Sequence, residues 1–428
     1  MTDSCITKCL AVVVITTILT VLYTGTMNIY AAPIPNDSRL SIERIYEGDF
    51  IPSSMSFVGP SELLVLDRDE GKVFKITDGN VASGSLIDLD VGTIGYRGLL
   101  GIAIATDKIP NFVFLYFTRT PSEDGQDESN PHLKLIRNEV YRYQLVDNKL
   151  VNGKLLLSLP ALPGPRHMGG KIAIGPDNNL YVSVGDLDGS FTQSEFETMT
   201  QNYRNGSFPD GRAGILRITQ DGTPDGKGIL GSSYPLNLYY AYGIRNSFGF
   251  DWDPITNNLW DTENGPYFGD EINLVYPGFN SGWAEVQGLW KPNLDNMGGL
   301  FRDIRGLESF GGNGIYSEPK FTWIPPVAPT AIKFLNSDKF GPEYENDLLV
   351  ADANEGNIYH FELDDDRKNL KLGDSLFDKI ANNIDELDDL IFASGFGRIT
   401  DMEIGPDGTL YVLSTHNDKS SIDRISLG

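Results

Sequence analysis

Cysteine is almost absent: Cys5 and Cys9 are the only two, so no disulfide within the chain can staple anything downstream of residue 9. Positive charge is also scarce, with 34 Lys and Arg against 59 Asp and Glu and a net charge of −25. That balance excludes a nucleic-acid binder, whose affinity rests on neutralising phosphates. No HExxH and no cysteine ligand set occurs, which removes the usual zinc sites. No Gly-x-Ser-x-Gly occurs either, so the serine elbow of an α/β-hydrolase is missing. After residue 33 no long 3.6-residue apolar period is found, and long amphipathic helices are excluded. What is present is 40% hydrophobic and 11% aromatic residues, enough for a sizeable core. Gly (46) and Pro (24) are spread along the chain, which implies many tight turns.

The N-terminus carries an uncharged run, LAVVVITTILTVLY from Leu10 to Tyr23, preceded by Lys8 and followed by small residues at Ala31 and Ala32. Residues 1–32 therefore read as a cleaved signal peptide or a retained membrane anchor. Both place the body, residues 33–428, outside the cytoplasm: secreted, periplasmic, or anchored and facing outward. Any membrane attachment is through this segment only.

In the body, short β-branched and aromatic runs recur between Gly, Asp, Asn and Pro. Six share one grammar, an apolar strand entered from a polar turn and leaving into Asp, Asn or Thr, beginning at Leu63, Phe112, Asn179, Asn258, Asp347 and Thr409. GPDNNLYV from Gly175 and GPDGTLYV from Gly405 share a lead-in. The spacing is too irregular for a solenoid but fits an all-β, six-bladed β-propeller of four-stranded blades with unequal loops. YVSVGD and WDTENG are expected to be inner strands that deliver acids to one rim.

Three clusters carry chemistry. In RHMGGKIAIGPDNNLYVSVGD, from Arg166, a hairpin can bring Asp186 back beside His167, and a His held by a carboxylate is a general base of fixed tautomer. In AYGIRNSFGFDWDP, from Ala241, Arg245 and Asn246 can clamp a carboxylate or a developing oxyanion. In TENGPYFGDEIN, from Thr262, the carboxylates Glu263, Asp270 and Glu271 surround a Gly265-Pro266 turn whose carbonyls suit calcium, a hard cation taking six to eight oxygens.

Taken in order, these clusters resemble the soluble quinoprotein glucose and aldose sugar dehydrogenases, also called glucose/sorbosone dehydrogenases. The likeness spans roughly residues 45–425 and includes RGLLGIAI from Arg97, GILRITQDGTP from Gly214, YGIRN from Tyr242, ENGPYFGDEIN from Glu263, NSGW from Asn280 and GRITDMEIGPDGTLYVL from Gly397. The resemblance implies a six-bladed propeller holding pyrroloquinoline quinone (PQQ) and calcium at its axis. It implies His167 as the base for a sugar's anomeric hydroxyl as hydride passes to the quinone, with Asp186 supporting it. Arg245 would stabilise charge on the quinone oxygens, with Asn246 and Arg398 as cofactor contacts. Gly265 and Pro266 would face calcium with Asp270 nearby. A sugar would be the substrate, and an external acceptor would take the electrons.

Four positions depart from the family pattern. Tyr96 stands for a Gln, Asn354 for a Lys, Thr400 for the second of two arginines, and Ser281 for an aromatic before Gly-Trp. The cofactor site thus loses two cations toward a tricarboxylate, and Arg97, Arg166 and Lys333 are the nearby candidates to replace them. A non-redox propeller binding a glycan or protein partner at its axial face, and a calcium-dependent lactonase-like hydrolase, are the alternatives.

Overall fold

Each of the six apolar runs becomes the second strand of a separate sheet: Glu62–Asp67, Phe112–Arg119, Leu180–Val184, Leu259–Glu263, Leu348–Asp352 and Leu410–His416. Every residue of Leu180–Val184, Leu259–Glu263 and Leu348–Asp352 is buried, because these strands are covered on both faces. That is why they read as continuous apolar runs and not as alternating ones. The computed structural model describes residues 32–120, 136–188, 196–289, 304–416 and 419–428. The expected signal or anchor lies outside these residues, except for Ala32. Among the described residues no helix is long and apolar enough to cross a membrane.

Six sheets result among the described residues, numbered here by sequence. The first contains Pro52–Phe57, Glu62–Asp67 and Lys72–Thr77, with Asn80–Val81 and Ile87–Asp88 on its outer edge. The second runs Leu99–Ala105, Phe112–Arg119, Arg137–Val146, Lys149–Pro160. The third begins Ile172–Ile174, Leu180–Val184, Gly214–Ile218, Tyr239–Tyr242 and adds Phe279–Asn280 and Ile315–Tyr316 in parallel. The fourth begins Ser247–Trp252, Leu259–Glu263, Asp270–Val275, Phe321–Trp323 and adds Ile380–Ala381. The fifth runs Pro329–Phe334, Leu348–Asp352, Ile358–Phe361, Ile391–Ser394, Ile34–Pro35. The sixth runs Arg398–Ile404, Leu410–His416, Lys419–Leu427, Leu40–Gly48. The expectation of four strands holds for the second and sixth sheets; the other four carry extra short edge strands.

The first strands of the sheets contact one another around a ring: first with second, second with third, fourth with fifth, fifth with sixth, and sixth with first, while Leu180–Val184 links the third to the fourth. This is an all-β propeller with these strands around the axis. YVSVGD and WDTENG are corrected by one position: they are second strands, and the axial ones are Ile172–Ile174 and Ser247–Trp252. The ring closes where Leu40–Gly48 pairs antiparallel with Lys419–Leu427. Leu40, 5% exposed, packs there with Met402, Leu410, Val412 and Ile425. Leu40→Ala is expected to cost about 2–5 kcal/mol, read as a lower midpoint in denaturant unfolding; an unchanged midpoint would show that closure does not depend on this strand.

Candidate functional site

The candidate residues collect at the end of the axis where the first strands begin. His167 sits ahead of Ile172–Ile174, Arg245 and Asn246 ahead of Ser247–Trp252, Tyr96 ahead of Leu99–Ala105, and Arg398 opens the sixth sheet's axial strand. The hairpin Ile172–Ile174/Leu180–Val184 returns the chain to the same rim. There Gly185 carries no side chain because a Cβ would collide with the carbonyl oxygens of His167 and Arg245.

His167 Nδ1 and Asp186 Oδ1 are 2.6 Å apart, and the Asp186 side chain is fully buried. Asp186 Oδ1 also accepts from the Asp188 N–H at 2.9 Å, and Oδ2 accepts from Trp283 Nε1 at 2.7 Å. With the carboxylate ionised, its bond to the ring fixes the proton on Nδ1 and leaves Nε2 as the basic nitrogen. The Asp186 N–H donates to the Arg245 carbonyl at 2.8 Å, so base and cation share one backbone frame.

Arg245 is buried, and its Nη1 donates to the carbonyls of Asn264 (2.8 Å) and Gly265 (2.9 Å). Its guanidinium lies 5.4 Å from the centre of the Trp283 ring. Among the described residues its buried Nε has no hydrogen-bond partner, which leaves a donor unused at the site. Burial lowers its pKa, against the field of Asp186, Asp270, Glu263 and Asp188. Asn246 accepts from the Gly169 N–H at 3.1 Å and donates to Asn264 Oδ1 at 3.0 Å.

Trp283 and Asn264 were not among the residues expected from the sequence. Trp283 lies 97 positions from Asp186, and its only sequence signal was the NSGW phrase. Trp283→Phe keeps the ring under Arg245 and removes one hydrogen bond to a charged group, worth about 1.5–3 kcal/mol. Turnover is expected to fall roughly ten- to a hundredfold. Wild-type turnover in that variant would show that Asp186 needs no second anchor.

The calcium candidates are placed differently from one another. Gly265 gives its carbonyl to Arg245 and its N–H to Asp270. Asp270 accepts from the N–H groups of Gly265 (2.7 Å) and Ala328 (2.8 Å), tying two loops together, and burial pushes its pKa up to about 6. Below the turn three further carboxylates are fully enclosed. Glu263 accepts from Arg245 N–H (2.7 Å) and Ser281 Oγ (2.7 Å). Glu271 accepts from Ser281 Oγ, Asn273, Gln287 and the Gly288 N–H. Asp261 lies near Ser247 and Asn273 without a well-formed bond to either, and among the described residues neither of its oxygens has a hydrogen-bond partner. Burial raises all three pKa values, Asp261 to about 7. Among the described residues no three His, Cys, Asp or Glu side chains converge on one point, so an ion here would also draw on carbonyls.

The departures from the family pattern are neutral in place as well as in sequence. Tyr96 is 53% exposed and its N–H donates to the Pro165 carbonyl, two residues before His167. Asn354 Nδ2 donates to the Pro326 carbonyl, and Thr400 Oγ1 to the Leu413 carbonyl. Of the cations considered as replacements, Arg97 is buried against the carbonyls of Ala161 and Pro163, and Lys333 is held by Glu403. Arg166 is exposed beside His167, and Arg398 is exposed on the same rim.

A histidine oriented by a carboxylate beside a buried cation, at the axial rim of a propeller, is an arrangement able to take a proton while negative charge develops close by. The chain belongs to the glucose/sorbosone dehydrogenase family, whose model matches residues 50–423, and is an oxidoreductase of that kind. It is 24% identical over 396 residues to an aldose sugar dehydrogenase of Escherichia coli, covering 92% of this chain and 93% of the relative. It is 26% identical over 377 residues to quinoprotein glucose dehydrogenase B of Acinetobacter calcoaceticus, covering 73% and 75%. A solved structure of the PQQ-bound aldose sugar dehydrogenase of Streptomyces coelicolor superposes with a TM-score of 0.63 at 21% identity, covering 92% of this chain and all of that one.

Proposed function

We propose that this chain is an exported, PQQ- and calcium-dependent dehydrogenase that oxidises an aldose or related sugar and passes the electrons to an external acceptor. We read each of the six sheets as one blade of a six-bladed ring. The observation that carries the proposal is the His167–Asp186–Trp283 relay beside Arg245, whose buried Nε is free to meet an anion. PQQ suits that donor: Arg245, Asn246 and Arg398 would hold it, with Arg166 as a further cation on the rim. Bound PQQ would supply the electrophilic carbonyl that accepts a hydride.

The rest of the chemistry belongs to the chain. His167 Nε2 takes the proton from the sugar hydroxyl while Asp186 stabilises the imidazolium that forms. Arg245 offsets the negative charge that grows beside it. Calcium would rest on the carbonyls of the Gly265-Pro266 turn and on the enclosed carboxylates Glu263 and Glu271, whose burial without a cation is costly.

The deciding experiment is calorimetric titration of residues 33–428 with PQQ in millimolar calcium, followed by dye reduction with a panel of aldoses. One-to-one binding with sugar-dependent reduction supports the proposal. Absence of binding would leave the second reading, a propeller that binds a glycan or protein partner at this face, which the neutral placement of Tyr96, Asn354 and Thr400 favours.

A further inference from the structure

Beneath the rim, charged side chains from four sheets meet along the axis. Lys171 directly precedes the axial strand of the third sheet, and Asp401 lies in that of the sixth. In the order of the ring these two sheets face each other, with two sheets between them on either side. Lys171 Nζ is 3.0 Å from Asp401 Oδ1, with the side chains 12% and 3% exposed, so the pair spans the axis in an enclosed setting. Asp401 is itself immobilised: Oδ2 accepts from Ser54 Oγ (2.6 Å) and the Met55 N–H (3.0 Å) of the first sheet. Glu403, 4.0 Å from Lys171, holds Lys333 of the fifth sheet at 2.9 Å, and Lys333 lies 3.8 Å from Asp251 of the fourth.

The segment that this pair grips is the one carrying His167. Between His167 and Lys171 come Met168, Gly169 and Gly170, with left-handed φ of 55° at His167, 66° at Gly169 and 117° at Gly170. The two glycines have no side chains of their own; the backbone here is held by the Tyr116 hydroxyl on the Met168 carbonyl (2.8 Å), by the Gly169 N–H on Asn246 Oδ1 (3.1 Å) and by the Gly170 N–H on the Ser183 carbonyl (3.1 Å), and the Gly170 carbonyl is pressed against Gly101 of the second sheet. Lys171 is the first residue beyond them whose charged side chain grips a distant wall of the ring.

We propose that Lys171 is a positioning residue: by pairing with Asp401 across the axis it fixes the glycine-rich entry that sets the direction of the His167 ring. This rests on the reading of His167 as the base. An enclosed ion pair suits the role because it specifies geometry even where its net contribution to stability is small, and a displacement of about 1 Å at a catalytic group can cost on the order of a hundredfold in rate.

The test uses the full body in four forms: wild type, Lys171→Met, Lys171→Arg and the double variant Lys171→Met/Asp401→Asn. Dye-linked turnover with PQQ, calcium and an aldose is measured beside the ¹³Cε1 NMR signal of His167 in the protein without cofactor, assigned with His167→Asn. Lys171→Met is expected to lower kcat about tenfold or more with KM within about twofold, and to shift or broaden the His167 signal. Lys171→Arg is expected to restore both. The double variant removes both charges, so it should regain the melting temperature while kcat stays low. The proposal is overturned if the double variant recovers turnover, which would make Lys171 a mere counter-charge, or if the His167 signal is unmoved in Lys171→Met. Should the wild type oxidise no sugar, the functional reading fails alone and the NMR arm still decides the positioning role.

Discussion

His167→Asn is expected to reduce turnover by roughly 10²–10⁴-fold while PQQ titration shows unchanged affinity. Asn is the substitution of choice because position 167 has φ of 55°, a left-handed conformation that Asn tolerates and that strains Ala. The loss reflects removal of the only basic nitrogen that the relay leaves free, and general-base contributions lie in that range. Asp186→Asn should be nearly as damaging. An amide in that place can no longer accept from both the ring Nδ1–H and the Trp283 N–H. Turnover at wild-type level in His167→Asn would remove His167 as the base and send the search to another acceptor of the proton.

A comparably large effect is expected from calcium and pH acting on one cluster. Burial raises the pKa values of Asp261, Glu263 and Glu271 above those of the unfolded chain, Asp261 to about 7. Between about pH 4, where an unfolded carboxylate titrates, and about pH 7, the folded protein holds more protons than the unfolded one. Its stability without calcium is therefore greatest at the acid end of that window and is lost as pH rises through 7. This is the reverse of an ordinary paired carboxylate. The melting temperature of chelator-treated protein should rise as pH falls from 8 to 5. Calcium should raise it strongly at pH 8, where a hundredfold excess over Kd adds about 2.7 kcal/mol to the unfolding free energy, and little at pH 5, where protons already neutralise the cluster. A calcium-independent melting temperature at pH 8, after removal of bound metal is confirmed, would dismiss these carboxylates as an ion seat.

The legible part of the fold was its second strands. Being covered on both faces, runs such as Leu180–Val184 and Leu348–Asp352 show as unbroken apolar stretches. The axial strands were harder to see, since Ile172–Ile174 has only three residues. Two-residue edge strands such as Asn80–Val81 and Ile315–Tyr316 are too short to carry any period, which is why four of the sheets exceed the expected four strands. In the site, His167 and Asp186 could be paired because one hairpin joins them. Trp283 could not, because its contact arises only when the loop after the fourth sheet's Asp270–Val275 folds back on the third. Asn264 acts on Arg245 through a backbone carbonyl, to which side-chain chemistry gives no clue. Glu263 and Glu271 stand out in sequence as acids around a turn suited to calcium, and Asp261 as an acid in a strand phrase, but only tertiary packing makes the three an enclosed cluster.

The sixth sheet is assembled from both ends of the body, with Leu40–Gly48 laid against Lys419–Leu427. During synthesis the earlier segment must wait, unpaired and partly apolar, until nearly four hundred further residues have been made. Such long-range closure is slow by its nature, and the waiting edge is open to pairing with other chains. A nascent chain stopped before Lys419 would lack the strand that seals the ring. Joining the two ends by a short linker and opening a surface turn elsewhere would place Leu40–Gly48 beside its partner in sequence, and refolding of that permuted chain should be faster and less prone to aggregate.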